Sequence, residues 1–399
     1  MKKIILIIID GLADEPLKEL GGGTPLEAAK TPHLDFMAAN GINGLVEPFK
    51  LPWEEYPTSE TAHLGLFGYQ KYFLGRGPYE AAGIGLELAE GDVALRANFA
   101  TIDRHFKIID RRAGRISETR ALIKSLDGIV IDGVKFLVKK SYGHRVVIVL
   151  KGKGLSARIS DSDPRRVGVH ILRIVPLEKS PEAKFTAEVL NKFLNQAHQK
   201  LENHPLNEKR RKEGKQPANF LLTRGAGQLK KVPSFKKKYG LKAVCFAGGK
   251  LYQGIARILG MTVRKVKGAN GFPQTNLEGK IKGAKAALKK FDFVFVHIKA
   301  ADTLAEDGDF LGKKRFIEKI DKSLKPLLSL KETLVVVTAD HATSSKAKKH
   351  CLLPVPLLIF GNGKDGVERF SERACQEGRL GKIKGVDLMP KILLRLRKV

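Results

Sequence analysis

Three short runs of apolar, largely β-branched residues dominate the hydrophobic pattern, at residues 3–9, 293–298 and 333–338. Polar residues hardly interrupt them, whereas a strand with one solvent-facing side alternates apolar and polar positions. Runs of this length and composition predict strands buried on both faces, as in the parallel sheet of an α/β layer fold. The chain is therefore predicted to be an α/β protein built on a mostly parallel sheet.

Side chains suited to metal binding follow each predicted strand. They are Asp10 after the first run, Asp302 and Glu306 after the second, and Asp340 and His341, with His350 further on, after the third. Parallel sheets bind ligands beyond the carboxyl ends of their strands, so these side chains are expected to converge on one crevice. Carboxylates mixed with imidazoles suit Mn²⁺, Zn²⁺ or Mg²⁺, and two such ions can hold the attacking and leaving oxygens of a phosphoryl transfer.

Ser59, in the Pro-Thr-Ser-Glu segment at residues 57–60, is the candidate nucleophile for such a site. A hydroxyl is a poor nucleophile at neutral pH, but coordination to a divalent cation lowers its pKa. The segment is equally typical of an ordinary helix start, with Pro57 leading in and Ser59 able to cap. Both interpretations stay open, because a helix N-terminus also stabilises an anion such as phosphoserine.

The other candidates have ordinary interpretations as well. An aspartate directly after a strand, such as Asp10, is commonly a cap or turn residue. The Asp340-His341 pair is compatible with a simple loop. Their convergence on one crevice would separate the metal site from these alternatives.

The candidate metal residues lie in two blocks, before about residue 70 and after about residue 295. Apolar runs between the blocks predict strands at 145–150, 220–223 and 243–247, and the pattern at 181–197 predicts a helix. We therefore expect one discontinuous catalytic domain, residues 1–75 and 275–399. An inserted α/β (α+β) domain is expected at residues 76–274.

The net charge of +30 is the most unusual bulk property, with 72 Lys and Arg against 42 Asp and Glu. Basic clusters at 208–212, 230–238 and 346–349 raise the possibility of a nucleic-acid stripe, but they are not interleaved with aromatic residues as a stacking surface would be. A solvated basic surface is therefore favoured, and nucleic-acid binding is not expected. The positive potential would still attract an anionic substrate.

Cysteine usage and hydropathy predict a soluble, cytoplasmic protein. The three cysteines are far apart and odd in number, which argues against a disulfide framework. No segment has the pattern of a signal peptide or the roughly 18 apolar residues of a membrane span. The glycine clusters at 21–23 and 225–227 lack nucleotide-binding spacing, so use of ATP is unsupported.

Short segments that match one protein family are spread over nearly the whole chain. They are Ile8-Ile9-Asp10-Gly11, Gly23-Thr24-Pro25-Leu26-Glu27-Ala28-Ala29, Thr31-Pro32-His33-Leu34-Asp35, Gly75-Arg76-Gly77-Pro78, Glu80-Ala81, Gly91-Asp92-Val93-Ala94, Arg96-Ala97-Asn98-Phe99, Asp110-Arg111-Arg112-Ala113-Gly114-Arg115, His144-Arg145, Ser160-Asp161-Ser162-Asp163-Pro164, Arg224-Gly225-Ala226-Gly227, His297-Ile298-Lys299-Ala300, Asp340-His341 and Pro354-Val355-Pro356. Through them the chain resembles the archaeal-type cofactor-independent phosphoglycerate mutases of the alkaline phosphatase superfamily. The resemblance implies an alkaline-phosphatase-like core with an inserted domain.

The resemblance also implies a phosphoserine mechanism. Ser59 would take the phosphoryl group of 3-phosphoglycerate and return it to the other hydroxyl, a step of glycolysis and gluconeogenesis. Two divalent ions are implied, Mn²⁺ by preference, with Mg²⁺, Co²⁺ or Zn²⁺ as alternatives. One would be held by Asp10, Ser59, Asp340 and His341, and the other by Asp302, the residue at 306 and His350.

The chain departs from the family pattern near this second ion. Glu306 stands where the family has a histidine, Ala339 replaces a glycine, and Leu352-Leu353 stand where an aspartate is usual. A carboxylate ligates the same ions at about 2.0–2.2 Å, and it favours Mn²⁺ or Mg²⁺ over Zn²⁺.

For the substrate, the resemblance implies cationic groups that hold phosphate and carboxylate, arginine being suited by its planar fork. They are Arg76, Arg96, Arg111, Arg112, His144, Arg145, Arg224 and Lys299. Asp161 or Asp163 would accept the proton of the free glycerate hydroxyl. The sequence is compatible with a monomer or a homo-oligomer.

Two alternatives remain at this stage. One is a metal-dependent phosphomonoester hydrolase of the same superfamily, in which water accepts the phosphoryl group from Ser59. The other is a catalytically weakened binding homologue, suggested by Glu306, Ala339 and Leu352-Leu353. Metal content separates the last from the first two. The product formed from 3-phosphoglycerate separates mutase from hydrolase.

Overall fold

The computed structural model describes residues 3–397. Its strands are β1 (Lys3–Ile9), β2 (Gly41–Glu47), β3 (Val93–Ile102), β4 (Ile108–Asp110), β5 (Val130–Ile131), β6 (Val134–Tyr142), β7 (Arg145–Lys151), β8 (Phe220–Gln228), β9 (Ala243–Phe246), β10 (Thr262–Val263), β11 (Phe293–Ile298), β12 (Thr333–Thr338), β13 (Ala342–Ser344), β14 (Lys349–Cys351), β15 (Val355–Phe360) and β16 (Lys382–Lys384). Its α-helices are α1 (Pro25–Ala28), α2 (Pro32–Ala39), α3 (Ser59–Leu66), α4 (Arg76–Gly83), α5 (Arg120–Leu126), α6 (Pro181–Glu202), α7 (Pro205–Lys212), α8 (Phe235–Tyr239), α9 (Lys250–Ile258), α10 (Leu277–Ala287), α11 (Ala300–Asp307), α12 (Phe310–Leu324), α13 (Glu372–Gln376) and α14 (Leu388–Arg397). Among the helices of residues 3–397, none is long and apolar enough to cross a membrane.

The larger sheet has eight strands in the order β10-β9-β11-β1-β12-β15-β2-β16. The pairings from β10 through to β12 are parallel, whereas β15 runs antiparallel to both β12 and β2. Residues 4–9 of β1, at the centre, are fully buried, which explains why this run lacks polar alternation. The predicted α/β fold with a mostly parallel sheet is confirmed.

The chain divides into two compact units, one made of residues 1–73 and 232–399 and the other of Leu74–Lys231. The first unit contains the larger sheet. The second contains a six-stranded antiparallel sheet in the order β4-β3-β7-β6-β5, with β8 on the other side of β3. Its core is apolar, and it includes Phe136 and Phe193 stacked with ring centroids 4.1 Å apart. The chain thus has the expected inserted domain.

The extent of the insertion differs from the predicted residues 76–274. The inserted unit ends at Lys231, and the run at 243–247, assigned from sequence to the insertion, forms β9. β9 pairs in parallel with β11, so it belongs to the larger sheet. The sequence of a short apolar strand does not indicate which sheet it joins, because that depends on the strand with which it pairs.

Candidate active site

The carboxyl ends of β1, β11 and β12 lie at one edge of the larger sheet, because the three strands pair in parallel with Ile8 opposite both His297 and Thr338. Asp10 follows β1 directly, and its backbone N–H donates to the Ile298 carbonyl at 2.9 Å. Gly11 turns the chain with φ +63°, and a Cβ there would lie 2.8 Å from the Asp302 backbone. The strand ends therefore come together tightly.

Three fully buried ligand atoms converge at this edge without a hydrogen-bond partner in the described structure. They are Asp10 Oδ1, Asp340 Oδ2 and His341 Nε2. His341 Nε2 lies 3.3 Å from Asp10 Oδ1 and 3.4 Å from Asp340 Oδ2. Burying polar atoms without a hydrogen-bond partner costs free energy of folding, and a divalent cation could bind all three atoms at once. The donor set, two carboxylates and an imidazole, fits Mn²⁺, Zn²⁺ or a related ion.

The electrostatics of this group reflect two buried carboxylates side by side. Burial and the neighbouring Asp10 carboxylate raise the pKa of Asp340 to about 7. Burial alone would lower the pKa of His341, but the Asp340 and Asp10 carboxylates raise it to about 9. Both shifts show that two buried carboxylates close together favour a positive charge beside them, which a bound cation would supply.

A second group consists of Asp302, His341 and His350. His350 Nε2 lies 3.5 Å from Asp302 Oδ1, and its Nδ1 is 2.8 Å from the Pro57 carbonyl, which can only accept. Nδ1 therefore donates a proton to that carbonyl, and Nε2 is the ring atom that lies beside Asp302. The Thr343 hydroxyl donates to Asp302 Oδ1 at 2.8 Å and fixes the carboxylate. This arrangement is that of a metal ligand held by an outer partner.

Glu306, the remaining predicted ligand, is placed differently. It lies one turn after Asp302 on α11, but the residue is exposed, and its carboxylate joins none of the potential metal-ligand groups found among the described residues. Partial burial and the Asp302 carboxylate raise its pKa. Glu306 is therefore near the second group without being part of it.

Ser59 begins α3 and is 8 % exposed. Contrary to the sequence interpretation, Ser59 is not the cap: Thr58 is the N-cap and forms a capping box with Thr61. The Ser59 hydroxyl is thus not used for capping. Its Oγ lies 3.4 Å from the hydroxyl of Tyr252, which also donates to Asp10 Oδ2.

Lys299, predicted from sequence to bind substrate, lies between the carboxylates of the two groups. Its Nζ donates to Asp302 Oδ2 at 2.7 Å and to Asp10 Oδ2 at 3.2 Å. Burial opposes the charge, yet the two carboxylates hold the pKa of Lys299 well above its usual value. The side chain is a fixed positive charge at the centre of the site.

Sequence reasoning missed three buried residues here, His63, His297 and Tyr252. His63 donates from Nδ1 to the Ser59 carbonyl at 2.7 Å, and burial lowers the pKa of His63 to about 3 and that of His297 to about 4. His63, His297 and Asp340 form a further group of potential ligands. His63 lies four residues after Ser59 on one helix, a spacing that could have indicated it. Tyr252 is 193 residues from Ser59 and gave no signal.

The inserted unit holds most of the predicted substrate residues. Arg96 on β3 lies opposite Arg224 on β8 and is almost fully buried. Burial and the charges of Arg76 and Arg145 hold the pKa of Arg96 well below its usual value, and burial with Arg76 lowers that of Arg224 to about 10. Glu80 accepts from Arg76 at 3.2 Å and lies 3.9 Å from Arg96. The charges of Arg76, Arg96 and Arg145 act on the Glu80 carboxylate, whereas Arg224 is also influenced by Asp163. Guanidinium groups gathered in this way suit carboxylate and phosphate.

The predicted proton acceptors differ in their surroundings. Asp163 is buried and forms a paired hydrogen bond with Arg111, at 3.0 and 2.7 Å. Burial alone would raise the pKa of Asp163, but the hydrogen bond from Arg111 lowers it. Asp161 is partly exposed and accepts from the Gly225 N–H at 2.8 Å, with Arg165 3.6 Å away. Asp161 is thus the less engaged of the two carboxylates.

Arg112 and His144, the other predicted substrate residues, lie close to this cluster. The Arg112 N–H donates to Asp110 Oδ1 at 2.7 Å, which fixes the loop after β4. Burial, Arg145 and Arg112 lower the pKa of His144 to about 4. The imidazole is therefore neutral beside the cationic groups.

Comparison with known proteins gives consistent matches over the whole chain. The model of the Metalloenzyme superfamily matches residues 2–394. The 2,3-bisphosphoglycerate-independent phosphoglycerate mutase 1 of Methanocaldococcus jannaschii is 47 % identical, covering 99 % of this chain and 97 % of its own. That of Archaeoglobus fulgidus is also 47 % identical, covering 97 % of this chain and 96 % of its own.

Two solved structures are similar over nearly the full length. The PH0037 protein from Pyrococcus horikoshii has a TM-score of 0.86 at 36 % identity, covering 100 % of this chain and 98 % of its own. The cofactor-independent phosphoglycerate mutase from Thermoplasma acidophilum has a TM-score of 0.71 at 36 % identity, covering 99 % of both chains.

Proposed function

Since this chain belongs to the Metalloenzyme superfamily and, within it, to the 2,3-bisphosphoglycerate-independent phosphoglycerate mutases, we propose that it interconverts 3-phosphoglycerate and 2-phosphoglycerate through a phosphoserine at Ser59. It is an isomerase that needs no bisphosphoglycerate. The observation that carries the mechanism is the set of three unpaired, buried ligand atoms of Asp10, Asp340 and His341. Tyr252 links that set to the Ser59 hydroxyl.

Two divalent ions are proposed as cofactors. Asp10, Ser59, Asp340 and His341 would hold the first. Asp302 and His350 would hold the second, with Glu306 as a weak additional ligand. When bound, such ions lower the pKa of a coordinated hydroxyl and neutralise charge on a transferring phosphoryl group. The carboxylate-rich set favours Mn²⁺, with Mg²⁺, Co²⁺ or Zn²⁺ as alternatives.

Ser59 would be the nucleophile that accepts the phosphoryl group. It begins α3, so backbone N–H groups of the first turn and the positive end of the helix dipole favour the charge of a phosphoserine. The Lys299 ammonium, already held between Asp10 and Asp302, would add a fixed positive charge for the phosphoryl oxygens. Both groups are in place before the reaction, so little reorganisation is required.

The arginine cluster of the inserted unit would bind the anionic groups of phosphoglycerate. Arg76, Arg96, Arg145 and Arg224 provide four guanidinium groups that influence one another's charge. Arg112 would add charge, and neutral His144 would add a hydrogen bond. The three cysteines, Cys245, Cys351 and Cys375, are free, which suits a reducing cytoplasm.

The reaction is tested by incubating the protein with 3-phosphoglycerate and Mn²⁺ in the absence of 2,3-bisphosphoglycerate, with enolase detecting 2-phosphoglycerate. We expect metal-dependent formation of 2-phosphoglycerate that is lost on chelation. Release of free phosphate without 2-phosphoglycerate would indicate the hydrolase instead. No reaction together with no metal uptake would indicate a binding homologue.

Asp161, rather than Asp163, is expected to accept the glycerate proton, because Asp163 is engaged by Arg111. Asp161→Asn retains the oxygen that accepts from Gly225, and it should lower kcat by about 10²- to 10⁴-fold with little change in stability. Asp163→Asn should instead lower the free energy of unfolding by about 1–3 kcal/mol. Steady-state kinetics and thermal melts of both variants give the comparison, and the assignment fails if Asp163→Asn alone loses kcat without losing stability.

Glu306 is expected to limit the affinity of the second ion. Glu306→His places a nitrogen donor one turn after Asp302, and we expect Zn²⁺ to bind there about 10- to 100-fold more tightly. Asp307→His, at the next and equally exposed position of α11, is the control and should leave affinity unchanged. Calorimetric titration of each variant measures this. One ion bound by both wild type and Glu306→His would contradict the dinuclear site.

A further inference from the structure

Tyr252 has a fixed position beside the proposed nucleophile. It lies on α9, is 2 % exposed, and stacks its ring on His297 with centroids 3.4 Å apart and planes inclined by 21°. The His63 ring lies 5.0 Å away on another side. These contacts hold the phenol ring independently of its hydroxyl group.

The hydroxyl group of Tyr252 reaches two atoms of the proposed reaction centre. It donates a hydrogen bond to Asp10 Oδ2 and lies 3.4 Å from Ser59 Oγ. A carboxylate oxygen can only accept, so the contact with Asp10 shows that the Tyr252 hydroxyl is an O–H donor. A buried donor thus stands beside the oxygen on which charge changes during phosphoryl transfer.

We propose that Tyr252 is a catalytic residue whose single hydroxyl proton, accepted by Asp10 Oδ2 in this structure, turns to Ser59 Oγ while the bond between Oγ and phosphorus forms and breaks. The proposal rests on the phosphoserine mechanism and adds a residue to it. In the forward step, the Oγ lone pair attacks phosphorus, the ester P–O bond breaks towards the glycerate oxygen, and the serine proton ends on that oxygen. In the return step, the other glycerate hydroxyl attacks phosphorus, the bond between phosphorus and Oγ breaks with its electron pair on Oγ, and the proton of the attacking hydroxyl is transferred to Oγ.

Tyr252 itself gains and loses no proton overall. Once turned to Oγ, its hydrogen bond stabilises the partial negative charge on that oxygen in both transition states, as a donor held beside developing charge does. Because both directions pass through the same charged oxygen, loss of the donor should slow the forward and reverse reactions equally.

A purely supporting role gives a different result. Tyr252 also contacts Asp10, so a residue that only oriented this ligand would change metal affinity, and the rate would recover at saturating metal. A donor to Ser59 Oγ would instead lower kcat at saturating metal. The two roles are therefore separated by measuring kcat and metal affinity on the same variant.

The decisive variant is Tyr252→Phe, which keeps the ring and its stacking. We expect kcat with saturating 3-phosphoglycerate and Mn²⁺ to fall by about 10²- to 10³-fold in both directions. KM and the Mn²⁺ dissociation constant should stay within about threefold of wild type. Tyr69→Phe is the matched control, because Tyr69 is also fully buried and its hydroxyl has no hydrogen-bond partner in the described structure. It should leave kcat unchanged.

The outcomes separate this inference from the proposed function. A Tyr252→Phe variant with wild-type kcat, or one whose rate recovers at high Mn²⁺, would overturn the role of Tyr252 while leaving the mutase intact. Wild type that forms no 2-phosphoglycerate would overturn both. Melting temperatures of the variants, compared with wild type, show that each one is folded during the assay.

Discussion

Ser59→Ala is expected to reduce mutase activity by at least about 10⁴-fold, because removal of a covalent nucleophile leaves only binding and electrostatic effects. The fold should be almost unaffected. Thr58, not Ser59, caps α3, so the substitution removes no capping hydrogen bond. Enolase-coupled kinetics and thermal melts of the same preparation measure both quantities.

Ser234→Ala is a matched control for this prediction. Ser234 caps α8 and accepts from the Lys237 N–H at 3.2 Å, so its loss should cost about 1 kcal/mol of stability and leave activity unchanged. The two variants should therefore show opposite patterns. Ser59→Ala that retains more than a few per cent of wild-type activity would remove Ser59 from the mechanism.

Asp340→Asn is expected to have the second largest effect. Its Oδ1 accepts from the N–H groups of Gly11 and His341, and asparagine can keep both bonds. The NH₂ group that replaces Oδ2 cannot ligate a cation, so we expect Mn²⁺ affinity to fall by about 10- to 100-fold or more and activity with it. The metal-free variant should be no less stable than wild type, because one of two adjacent buried carboxylates loses its charge.

Calorimetric titration measures the Mn²⁺ affinity of this variant, and thermal unfolding in the presence of a chelator measures the stability of its metal-free form. Asp321→Asn is the control, since Asp321 is equally buried but holds His33, at 2.8 Å, and the N–H groups that begin α2. That variant should lose stability and keep metal affinity. An Asp340→Asn variant with unchanged Mn²⁺ affinity would show that the first group is not a metal site.

The strands that position the site were predictable from sequence for a physical reason. β1, β11 and β12 are buried on both faces, so their residues form uninterrupted apolar runs whose ends coincide with the predicted ones. Parallel pairing then requires the residues that follow the strands to meet at one edge. Asp10, Asp302 and the Asp340-His341 pair do meet there.

The parts of the site that the sequence did not predict depend on contacts between residues far apart in the chain. Tyr252 approaches Ser59 only because α9 follows a strand of the larger sheet, and the sequence pattern assigned that strand to the insertion. The N-cap of α3 is Thr58 and not Ser59. Sequence signals for the start of a helix do not distinguish two neighbouring residues. The distance of Glu306 from the metal groups depends on side-chain geometry that its spacing after Asp302 does not determine.

Transfer of the phosphoryl group through Ser59 can be observed directly by trapping the phosphorylated protein. Wild-type protein with Mn²⁺ is mixed with 3-phosphoglycerate carrying radiolabelled phosphate, quenched in acid, digested, and its labelled peptide identified by mass spectrometry. We expect phosphoserine at Ser59, formed within one turnover and transferred to 2-phosphoglycerate in a chase with unlabelled substrate. Label on another residue, or label that leaves only as free phosphate, would contradict it.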